Sequence, residues 1–468
     1  MKNILIIGAG AAGLSAAVTA AQAGAKVTVL EKRSSAGGNG RYAEGVFAAG
    51  SKLQQRLNID ADPDKLFTQA MEYSHWRSDA RLMRALIDRS GETVDWLTGL
   101  GVPFSRVLHH MPNQTPEVFH MAYPAPTGAR VMEVLRKKCK SLGVKVITGA
   151  ECQALIIEDG AVTGVAVDVD VLTHTLKADA VMIATGGFAG DRELMGKMIP
   201  GIDPQAYMHL KGIPMTGDGL RLARAVGCAV MQDIAIEGCA PVFKGRSEIT
   251  AAIRREDVLW VNAKGRRFCD ETVVQDFVFG QNAVARQPGR MCWAILDLAA
   301  LWRAYEAPPH MMAPLDATDN GMAKLFEAVE KEINAGGIYK ADTLEELAQL
   351  TGMPSDALVE EVAVYNAACA AGHDPLFAKD RRYLYPVAGG PYYAVRCGID
   401  IITTHGGIAV DWKMRVLDEH GDPIPGLYAA GIDISGVDSG DYSVRLSGHA
   451  FGFSLAGGRI AGEQMAAS

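Results

Sequence analysis

The sequence lacks several features that mark particular classes of protein. Its eight cysteines include no CxxC or CxxCH motif and no close cluster, which argues against disulfide bridges, a c-type haem and an iron–sulfur centre. No apolar run is long enough to span a bilayer, and no basic segment followed by a cleavage site stands at the start. We therefore expect a cytoplasmic protein with buried neutral thiols and no membrane insertion.

Positive charge is also scarce. The 468 residues carry 46 lysines and arginines against 54 aspartates and glutamates, a net charge of −8. No basic field is present to attract nucleic acid or an anionic membrane. The hydrophobic content of 49% is ordinary for a globular enzyme, and the length predicts two domains.

The first 31 residues have the pattern of a βαβ unit. Asn3–Ile7 predicts a buried strand, Ala11–Ala23 a helix and Lys26–Leu30 a second strand. The turn between the first strand and the helix, Gly8-Ala9-Gly10-Ala11-Ala12-Gly13, fits the GxGxxG fingerprint. Its position between a strand and a helix predicts a Rossmann-like dinucleotide site.

Each residue type in this fingerprint has a physical reason. Gly8 permits the sharp strand-to-helix turn, Gly10 lets a pyrophosphate approach the backbone, and Gly13 lets the helix pack closely on the strand. The helix N-terminus offers free N–H groups and positive potential to the phosphates. Glu31, at the end of the second strand, stands where an acceptor for a ribose diol is expected.

The fingerprint alone does not distinguish NAD from FAD, and two further features favour FAD. A glycine-rich segment at Gly37–Gly50 follows Glu31 and can wrap a long, extended cofactor. A second apolar strand leads into a glycine turn at Tyr428–Gly431, near the far end of the chain. The two ends of the sequence therefore contribute to one cofactor site.

The middle of the chain has a different texture. The pattern changes from about Ile234. In this region Val258–Val261 predicts a strand, and charged stretches after it, including Leu344–Ala371, predict helix. We expect an α/β protein with a discontinuous Rossmann-like FAD-binding domain of residues 1–235 and 401–468. An inserted α+β capping domain of residues 236–400 is expected between the two parts.

A series of short motifs occurs in a fixed order along the chain. They are Gly37-Gly38-Asn39-Gly40, Ala184–Gly187, Thr216–Gly219, Gly265–Phe268, Thr404–Gly407 and Ile424–Gly431. On these motifs nearly the whole chain resembles the fumarate reductase/succinate dehydrogenase flavoprotein family, in particular its soluble fumarate and urocanate reductases and 3-ketosteroid dehydrogenases. The resemblance implies hydride transfer between flavin N5 and a carbon of an activated C–C bond.

The resemblance also implies which residues hold the cofactor. Membrane-bound members tether FAD covalently to a histidine; Gly38 occupies the corresponding position, so non-covalent FAD is expected. Ile432 replaces a glutamate that commonly holds the ribityl chain, and Asp433 is expected to take that role. The expected FAD-binding residues are Gly8, Gly10, Ala12, Gly13, Glu31, Lys32, Gly38, Asn39, Gly40, Gly45, Cys152, Ala184, Thr185, Gly186, Asp218, Gly431, Asp433, Arg445 and Ser447.

Three residues match the substrate-binding positions of the family. Arg445 matches a C-terminal substrate arginine, and Thr250 and Arg254 match a threonine and an arginine of the capping domain. A guanidinium suits a planar carboxylate because it can donate two parallel hydrogen bonds. For both arginines, an ordinary surface ion pair is the alternative.

Other substrate residues of the family are missing. Gln275 occupies the position of the proton-donating arginine or tyrosine, and glutamine is not a Brønsted acid near neutral pH. Ala251 replaces a glutamate, and Ile402 or Thr403 replaces a carboxylate-binding histidine. A plain fumarate reductase is therefore disfavoured.

Two residues can replace the missing acid. The imidazole of His405 titrates in the useful range, and the phenol of Tyr442 lies three residues before Arg445. Either residue can instead be a packed, hydrogen-bonded structural group. His109, His110 and His120 have no acidic or cysteine partners at metal-ligand spacing, so no metal is expected.

The resulting interpretation is an FAD-dependent oxidoreductase that acts on a C–C bond beside a carbonyl or carboxylate of a small molecule, as an ene-reductase or a desaturating dehydrogenase. The alternatives are a flavin oxidase of an amine or hydroxy acid, resembling L-aspartate oxidase, and a non-catalytic flavin-binding protein. No second dinucleotide fingerprint or redox-centre motif is present, so an external electron donor or acceptor is expected.

Overall fold

A computed structural model of the protein describes residues 1–109, 116–124, 126–210, 212–213, 215–306 and 324–468. The chain forms two compact units. The first, called here the FAD unit, contains Met1–Ile202, Gly212–Glu237 and Thr403–Ser468; the second, the cap unit, contains Asp203–Lys211 and Gly238–Ile402. The divisions after residues 237 and 402 lie two residues from the expected boundaries, and residues 203–211 join the cap unit.

The strands, in chain order, are β1 Asn3–Ile7, β2 Lys26–Glu31, β3 Val46–Phe47, β4 Phe104–Leu108, β5 Phe119–Ala122, β6 Lys145–Thr148, β7 Glu151–Glu158, β8 Ala161–Val169, β9 Leu172–Lys177, β10 Ala180–Ile183, β11 Tyr207–Leu210, β12 Ala235–Val242, β13 Leu259–Val261, β14 Cys292–Asp297, β15 Ile338–Ala341, β16 Tyr392–His405, β17 Arg415–Leu417 and β18 Pro423–Ala429.

The α-helices are α1 Ala11–Gln22, α2 Lys52–Arg56, α3 Pro63–Tyr73, α4 Ala80–Gly99, α5 Thr127–Ser141, α6 Arg192–Met198, α7 Asp218–Ala225, α8 Ser247–Ile253, α9 Phe277–Ala285, α10 Leu298–Glu306, α11 Leu325–Ala335, α12 Leu344–Thr351, α13 Ser355–Ala371 and α14 His449–Ala467. Among the helices that the structure describes, none is both long enough and apolar enough to cross a bilayer.

The main sheet of the FAD unit has six strands in the order β17-β18-β10-β1-β2-β6. Strands β1, β2, β6, β10 and β18 are parallel to one another, and β17 runs antiparallel to β18. The central strands are continuous apolar runs because both faces of a parallel sheet are covered. Since β18 pairs with β10, the two ends of the chain share one sheet.

Two smaller antiparallel sheets, β3-β5-β4 and β7-β8-β9, also belong to the FAD unit. Helix α14 packs against α1, where the hydroxyl of Ser15 donates a 2.7 Å hydrogen bond to the carbonyl of Leu455. The C-terminal helix thereby fixes the helix that begins at the glycine turn.

The cap unit is built around the long strand β16, which pairs with β11, β12, β14 and β15. Its apolar core includes Leu259, Trp293, Ile295, Leu358 and Tyr365. The single helical stretch predicted for Leu344–Ala371 was wrong: α12 ends at Thr351, Gly352 adopts a left-handed backbone, and α13 begins after Pro354. A left-handed glycine ends a helix and a following proline cannot continue it.

Candidate cofactor and substrate sites

The glycine turn after β1 is packed against its neighbours at two positions and open at a third. A Cβ at Gly8 would lie 2.2 Å from the carbonyl oxygen of Ala184, and a Cβ at Gly13 would lie 1.9 Å from that of Gly8. A Cβ at Gly10 would meet nothing within 4 Å. Helix α1 has no side-chain cap and no acidic residue in its first turn. Its amides and the open space at Gly10 fit an anionic pyrophosphate.

Glu31 is buried at the end of β2 and organises this turn. One carboxylate oxygen accepts a 3.0 Å hydrogen bond from the amide of Ala9, and the other accepts one of 2.9 Å from the amide of Arg33. The carbonyl of Ala9 in turn accepts from the amide of Gly37 at 2.8 Å. A carboxylate has about four acceptor positions, so Glu31 can still accept from a ribose hydroxyl.

The segment after β2 folds back over the glycine turn. A Cβ at Gly38 would lie 3.2 Å from the Cα of Gly10, while Cβ atoms at Gly40 and Gly45 would press on the rings of Phe451 and Phe119. The side chain of Asn39 accepts a 2.7 Å hydrogen bond from the amide of Ile213 and donates one of 3.0 Å to its carbonyl.

Asp433 is buried beside the turn that follows β10. Its carboxylate accepts hydrogen bonds from the amides of Gly186 and Gly187, both at 2.8 Å, and from the hydroxyl of Thr185 at 3.0 Å. Burial raises the pKa of Asp433, and these donors partly offset that effect. The geometry gives Asp433 the task of shaping the turn, and its expected contact with the ribityl chain stays a prediction.

The remaining expected cofactor residues also belong to the FAD unit. Lys32 forms an ion pair with Asp218 at the start of α7, and Gly431 approaches the side chain of Ala12. Burial raises the pKa of the Cys152 thiol to about 12, so the thiol is neutral. The hydroxyl of Ser447 donates to the carbonyl of Val444 at 2.7 Å.

His405 and Tyr442, the two candidate acids, lie in one buried cluster of the FAD unit. Nδ1 of His405 is 3.1 Å from an oxygen of Asp438, and Nε2 is 3.4 Å from an oxygen of Glu237. The same oxygen of Asp438 lies 2.9 Å from Nε2 of His449. The ring of Tyr442 stacks on His449, with the centroids 4.4 Å apart.

The charges of this cluster oppose the effect of its burial. Burial alone would lower the pKa of His405, but Asp438 and Glu237 outweigh it and raise this pKa to about 9. Burial would raise the pKa of Asp438, but the two histidines hold it well below its usual range. Burial, and then the charge of Glu237, raise the pKa of Tyr442 well above that of a free phenol.

Arg445 is exposed in a single 3₁₀ turn, Val444–Leu446, just before α14. Its guanidinium carbon lies 5.8 Å from the centre of the Tyr73 ring, within the range of a cation–π contact. This arrangement leaves a cationic head at the surface of the FAD unit.

In the cap unit, Thr250 and Arg254 differ in what they can offer a ligand. The hydroxyl of Thr250 accepts from the amide of Phe243 at 3.0 Å and donates to its carbonyl at 3.1 Å. Nε of Arg254 reaches the carbonyl of Pro241 at 3.4 Å, while one terminal nitrogen, Nη2, is buried without a hydrogen-bond partner among the described residues. The hydroxyl of Thr250 is therefore occupied by a local backbone contact, whereas Nη2 of Arg254 is still available as a donor.

Gln275 ends a 3₁₀ turn, Glu271–Gln275, whose start is firmly anchored. The buried carboxylate of Glu271 accepts from Arg267 and Lys379, both at 2.8 Å. Nε2 of Gln275 lies 3.3 Å from an oxygen of Glu256 and 3.4 Å from the hydroxyl of Tyr383. A phenol thus stands beside the position where the family's acid was expected.

Sequence reasoning missed four of these residues, namely Glu237, Asp438, His449 and Tyr383. Asp438 and His449 flank Arg445 in a glycine- and serine-rich segment, and that spacing was an available signal. Glu237 and Tyr383 carry no local pattern, since strand pairing and a 3₁₀ turn bring them to their partners.

The three histidines considered for a metal do not form a site in the described residues. His120 is buried, 2.7 Å from the hydroxyl of Ser51 and 3.0 Å from the carbonyl of Val118, and His109 pairs with Glu117. His110 lies outside the described residues.

The fold and the glycine turn define a class of protein. Residues 3–442 match the model of the FAD binding domain family FAD_binding_2, and the chain belongs to this family. FAD is its cofactor, and the predicted resemblance to fumarate reductase and succinate dehydrogenase flavoproteins is confirmed. The glycine turn, Glu31 and the segment around Gly38 are the residues that would hold FAD, and their contacts with it stay a prediction.

Two characterised proteins show how far the similarity extends. The chain is 32% identical to the vinyl phenol reductase of Lactiplantibacillus plantarum, over 99% of this chain and 96% of that protein. It is 30% identical to a fumarate reductase (cytochrome) of Shewanella frigidimarina, over 99% of this chain and 77% of that protein. The protein is therefore an FAD-dependent oxidoreductase.

Solved structures give the same result. An open conformation of a flavocytochrome c3 fumarate reductase superposes with a TM-score of 0.76 at 27% identity, covering 100% of this chain and 78% of that one. The 3-ketosteroid-Δ4-(5α)-dehydrogenase of Rhodococcus jostii RHA1 superposes with a TM-score of 0.77 at 26% identity, covering 99% of this chain and 97% of that one. The predicted fold class, an FAD-binding α/β domain with a capping domain, is confirmed.

Proposed function

We propose that this FAD-dependent enzyme reduces a carbon–carbon double bond conjugated to one carboxylate, phenol or carbonyl group, as an ene-reductase, or forms such a bond, as a desaturating dehydrogenase. Relatives named for fumarate, urocanate and vinyl phenol reduction, and for ketosteroid dehydrogenation, support the reaction class. FAD supplies the two-electron chemistry by giving or taking a hydride. Both directions share one site because forward and reverse steps pass through the same transition state.

The buried Nη2 of Arg254 is the observation that carries the substrate class. Leaving a buried donor without an acceptor costs roughly 1–3 kcal/mol, and more when the group is charged. A substrate oxygen bearing negative charge would satisfy it, and the planar guanidinium would fix the orientation of that group. Arg445, exposed in the FAD unit, is proposed as a second contact for the substrate.

A substrate with a single anionic group is consistent with the family's substrate-binding residues that this chain lacks. Ala251 and the pair Ile402 and Thr403 stand where the family places a glutamate and a histidine. The hydroxyl of Thr250 is already bonded to the backbone of Phe243. Without these residues, a second carboxylate of the substrate would be bound only weakly, which disfavours a dicarboxylate such as fumarate.

Tyr383 is the proposed proton donor. In a reduction, one carbon of the double bond receives the hydride and its neighbour receives a proton, here from Oη of Tyr383. In a desaturation the phenolate accepts that proton. The position of this hydroxyl, 3.4 Å from Nε2 of Gln275, supports the assignment. His405 and Tyr442 are nearly fully buried and engaged in their own cluster, so a direct encounter with substrate is disfavoured.

Electrons would reach or leave the flavin through an external partner such as a nicotinamide, a quinone or an electron-transfer protein. All eight cysteines are unpaired, which supports a reducing, cytoplasmic setting. An oxidase would release peroxide in air, and a non-catalytic flavoprotein would not pass electrons to any alkene.

The experiment compares an unsaturated monocarboxylate with its methyl ester in wild-type and Arg254→Gln enzyme. We expect the variant to raise KM for the acid at least tenfold while changing the ester much less, because only the acid carries the charge that Arg254 pairs. Arg266→Gln is the matched control, since Arg266 is an exposed arginine of the same unit that pairs with Glu360. Equal effects on acid and ester would contradict the assignment.

A further inference from the structure

The cluster around Asp438 brings together three side chains that are far apart in sequence. His405 ends β16, Asp438 lies in the segment after β18, and His449 begins α14. One nitrogen of each histidine and one oxygen of Asp438 lie within 4.8 Å of one another, and all three residues are buried. The two nitrogen–oxygen separations are 3.1 and 2.9 Å.

Each member of this group has an outer partner that fixes its orientation. The second nitrogen of His405 faces Glu237 at 3.4 Å, and that of His449 faces the carbonyl of Leu446 at 3.0 Å. The second oxygen of Asp438 accepts from the amide of Ser443 at 3.1 Å. Metal-ligating histidines commonly donate their other N–H to a carboxylate or a backbone carbonyl, which is the arrangement seen here.

Counting donors leaves two ways to satisfy this cluster. All four imidazole nitrogens face oxygen acceptors, yet a neutral imidazole has only one N–H. Unless a carboxyl group donates a proton to a ring, both rings carry an additional proton or the two inward nitrogens bind a cation. Two carboxylates, the buried Asp438 and the half-buried Glu237, are present to balance two positive charges. One divalent ion between neutral rings supplies the same charge as two protons.

We propose that Nδ1 of His405, Oδ2 of Asp438 and Nε2 of His449 bind one divalent transition-metal ion. Two imidazole nitrogens and a carboxylate oxygen suit zinc or ferrous iron. With bonds of about 2.1 Å, neighbouring ligand atoms are roughly 3 Å apart at right angles and about 3.4 Å apart at the tetrahedral angle of zinc. The two nitrogen–oxygen separations, 3.1 and 2.9 Å, are close to the first value, and all three ligand atoms lie within 4.8 Å of one another. The ion ties the end of β16, the segment after β18 and the start of α14. The sequence-based expectation of no metal rested on other histidines.

The test is the metal content of the full-length flavoprotein, because that readout does not depend on catalysis. Protein produced with supplemented zinc and iron is dialysed and analysed by inductively coupled plasma mass spectrometry; the chelator-treated protein is then titrated with Zn²⁺. We expect about one metal ion per chain. Asp438→Asn and His449→Gln should weaken Zn²⁺ binding at least tenfold. Loss of a residue that only hydrogen-bonds to a metal ligand already lowers metal affinity by about 10–100-fold.

His120→Gln is the matched control, since His120 is another buried histidine of the FAD unit and has no carboxylate partner among its described contacts. It should leave Zn²⁺ binding unchanged. X-ray absorption at the zinc edge of the wild-type protein covers the case in which the variants fail to fold. A nitrogen and oxygen shell with imidazole scattering supports the proposal. A sulfur shell, trace metal only, or unchanged binding in both variants overturns it and leaves a protonated hydrogen-bond chain.

Discussion

The carboxylate of Asp433 accepts a 3.0 Å hydrogen bond from the hydroxyl of Thr185, although 248 residues separate the two. Thr185 follows β10, and Asp433 follows β18, the strand that the C-terminal part adds to the sheet. This contact joins the two ends of the chain at the edge where parallel strands finish. In open α/β sheets, ligands bind at the carboxyl ends of the strands.

Replacing Asp433 by asparagine should loosen this turn. An amide keeps one acceptor oxygen and directs its N–H groups at the amide of either Gly186 or Gly187, so at least one buried donor loses its partner. We expect a loss of about 1–3 kcal/mol in the free energy of unfolding, with weaker FAD retention. Urea unfolding and flavin absorbance after gel filtration measure both. Asp60→Asn, at a mostly exposed side chain, should change neither.

Gly10→Val should separate cofactor binding from folding. The protein leaves open space beside Gly10, so the valine side chain fits the fold but occupies the place where the pyrophosphate approaches. We expect a folded, colourless protein with the melting temperature of wild-type apoprotein. Gly13→Ala should instead destabilise the fold, because its Cβ would lie 1.9 Å from the carbonyl oxygen of Gly8. A yellow Gly10→Val protein would count against the assigned site.

His120 should make the FAD unit sensitive to mild acid. Burial lowers its pKa to about 4, against 6.5 for an ordinary histidine. Between these values the unfolded chain binds a proton that the folded chain does not. The contribution of His120 to the free energy of unfolding is therefore fully present above pH 6.5. It falls as the pH drops towards 4, by up to about 3 kcal/mol.

Urea unfolding of the wild-type protein and His120→Gln from pH 7.5 to 4.5 measures this effect. The variant lacks the ionisable ring, so its stability should fall less over the same range. Parallel curves for the two proteins would show that His120 is not held neutral.

Tyr383→Phe should impair proton transfer while leaving the cofactor in place. Positioned acids typically contribute 10²–10⁴-fold to a rate, so we expect a loss of roughly that size in kcat with FAD fully bound. Tyr385→Phe is the neighbouring control; the ring of Tyr385 is exposed and contacts Arg303. Steady-state kinetics that are equal for the two variants would remove Tyr383 from the mechanism.

The cofactor end of the site could be predicted from sequence because its rules are local. A strand, a glycine turn and a helix at fixed spacing place Gly8, Gly10 and Gly13, and Glu31 follows at the end of the next strand. The second apolar strand that ends in a glycine turn was also visible in the sequence, and the structure pairs this strand, β18, with β10.

The substrate end could not be predicted in this way. Gln275 was correctly seen as unable to give a proton, but its neighbour Tyr383 is 108 residues further along the chain. Glu237, which faces His405, comes from another strand. Such partners depend on tertiary contacts rather than on spacing, and the hydrogen bonds of Asp433 to the turn after β10 are of the same kind.

The most direct test of the account is the reoxidation of reduced flavin by conjugated alkenes. Enzyme reduced without oxygen is mixed in a stopped-flow instrument with an unsaturated monocarboxylate, a vinyl phenol, an enone and their saturated analogues. We expect at least one alkene to restore the oxidised flavin spectrum and to be converted to its saturated product, whereas the saturated analogues should leave the flavin reduced. Reoxidation by oxygen alone, with release of peroxide and no reaction with any alkene, would contradict it.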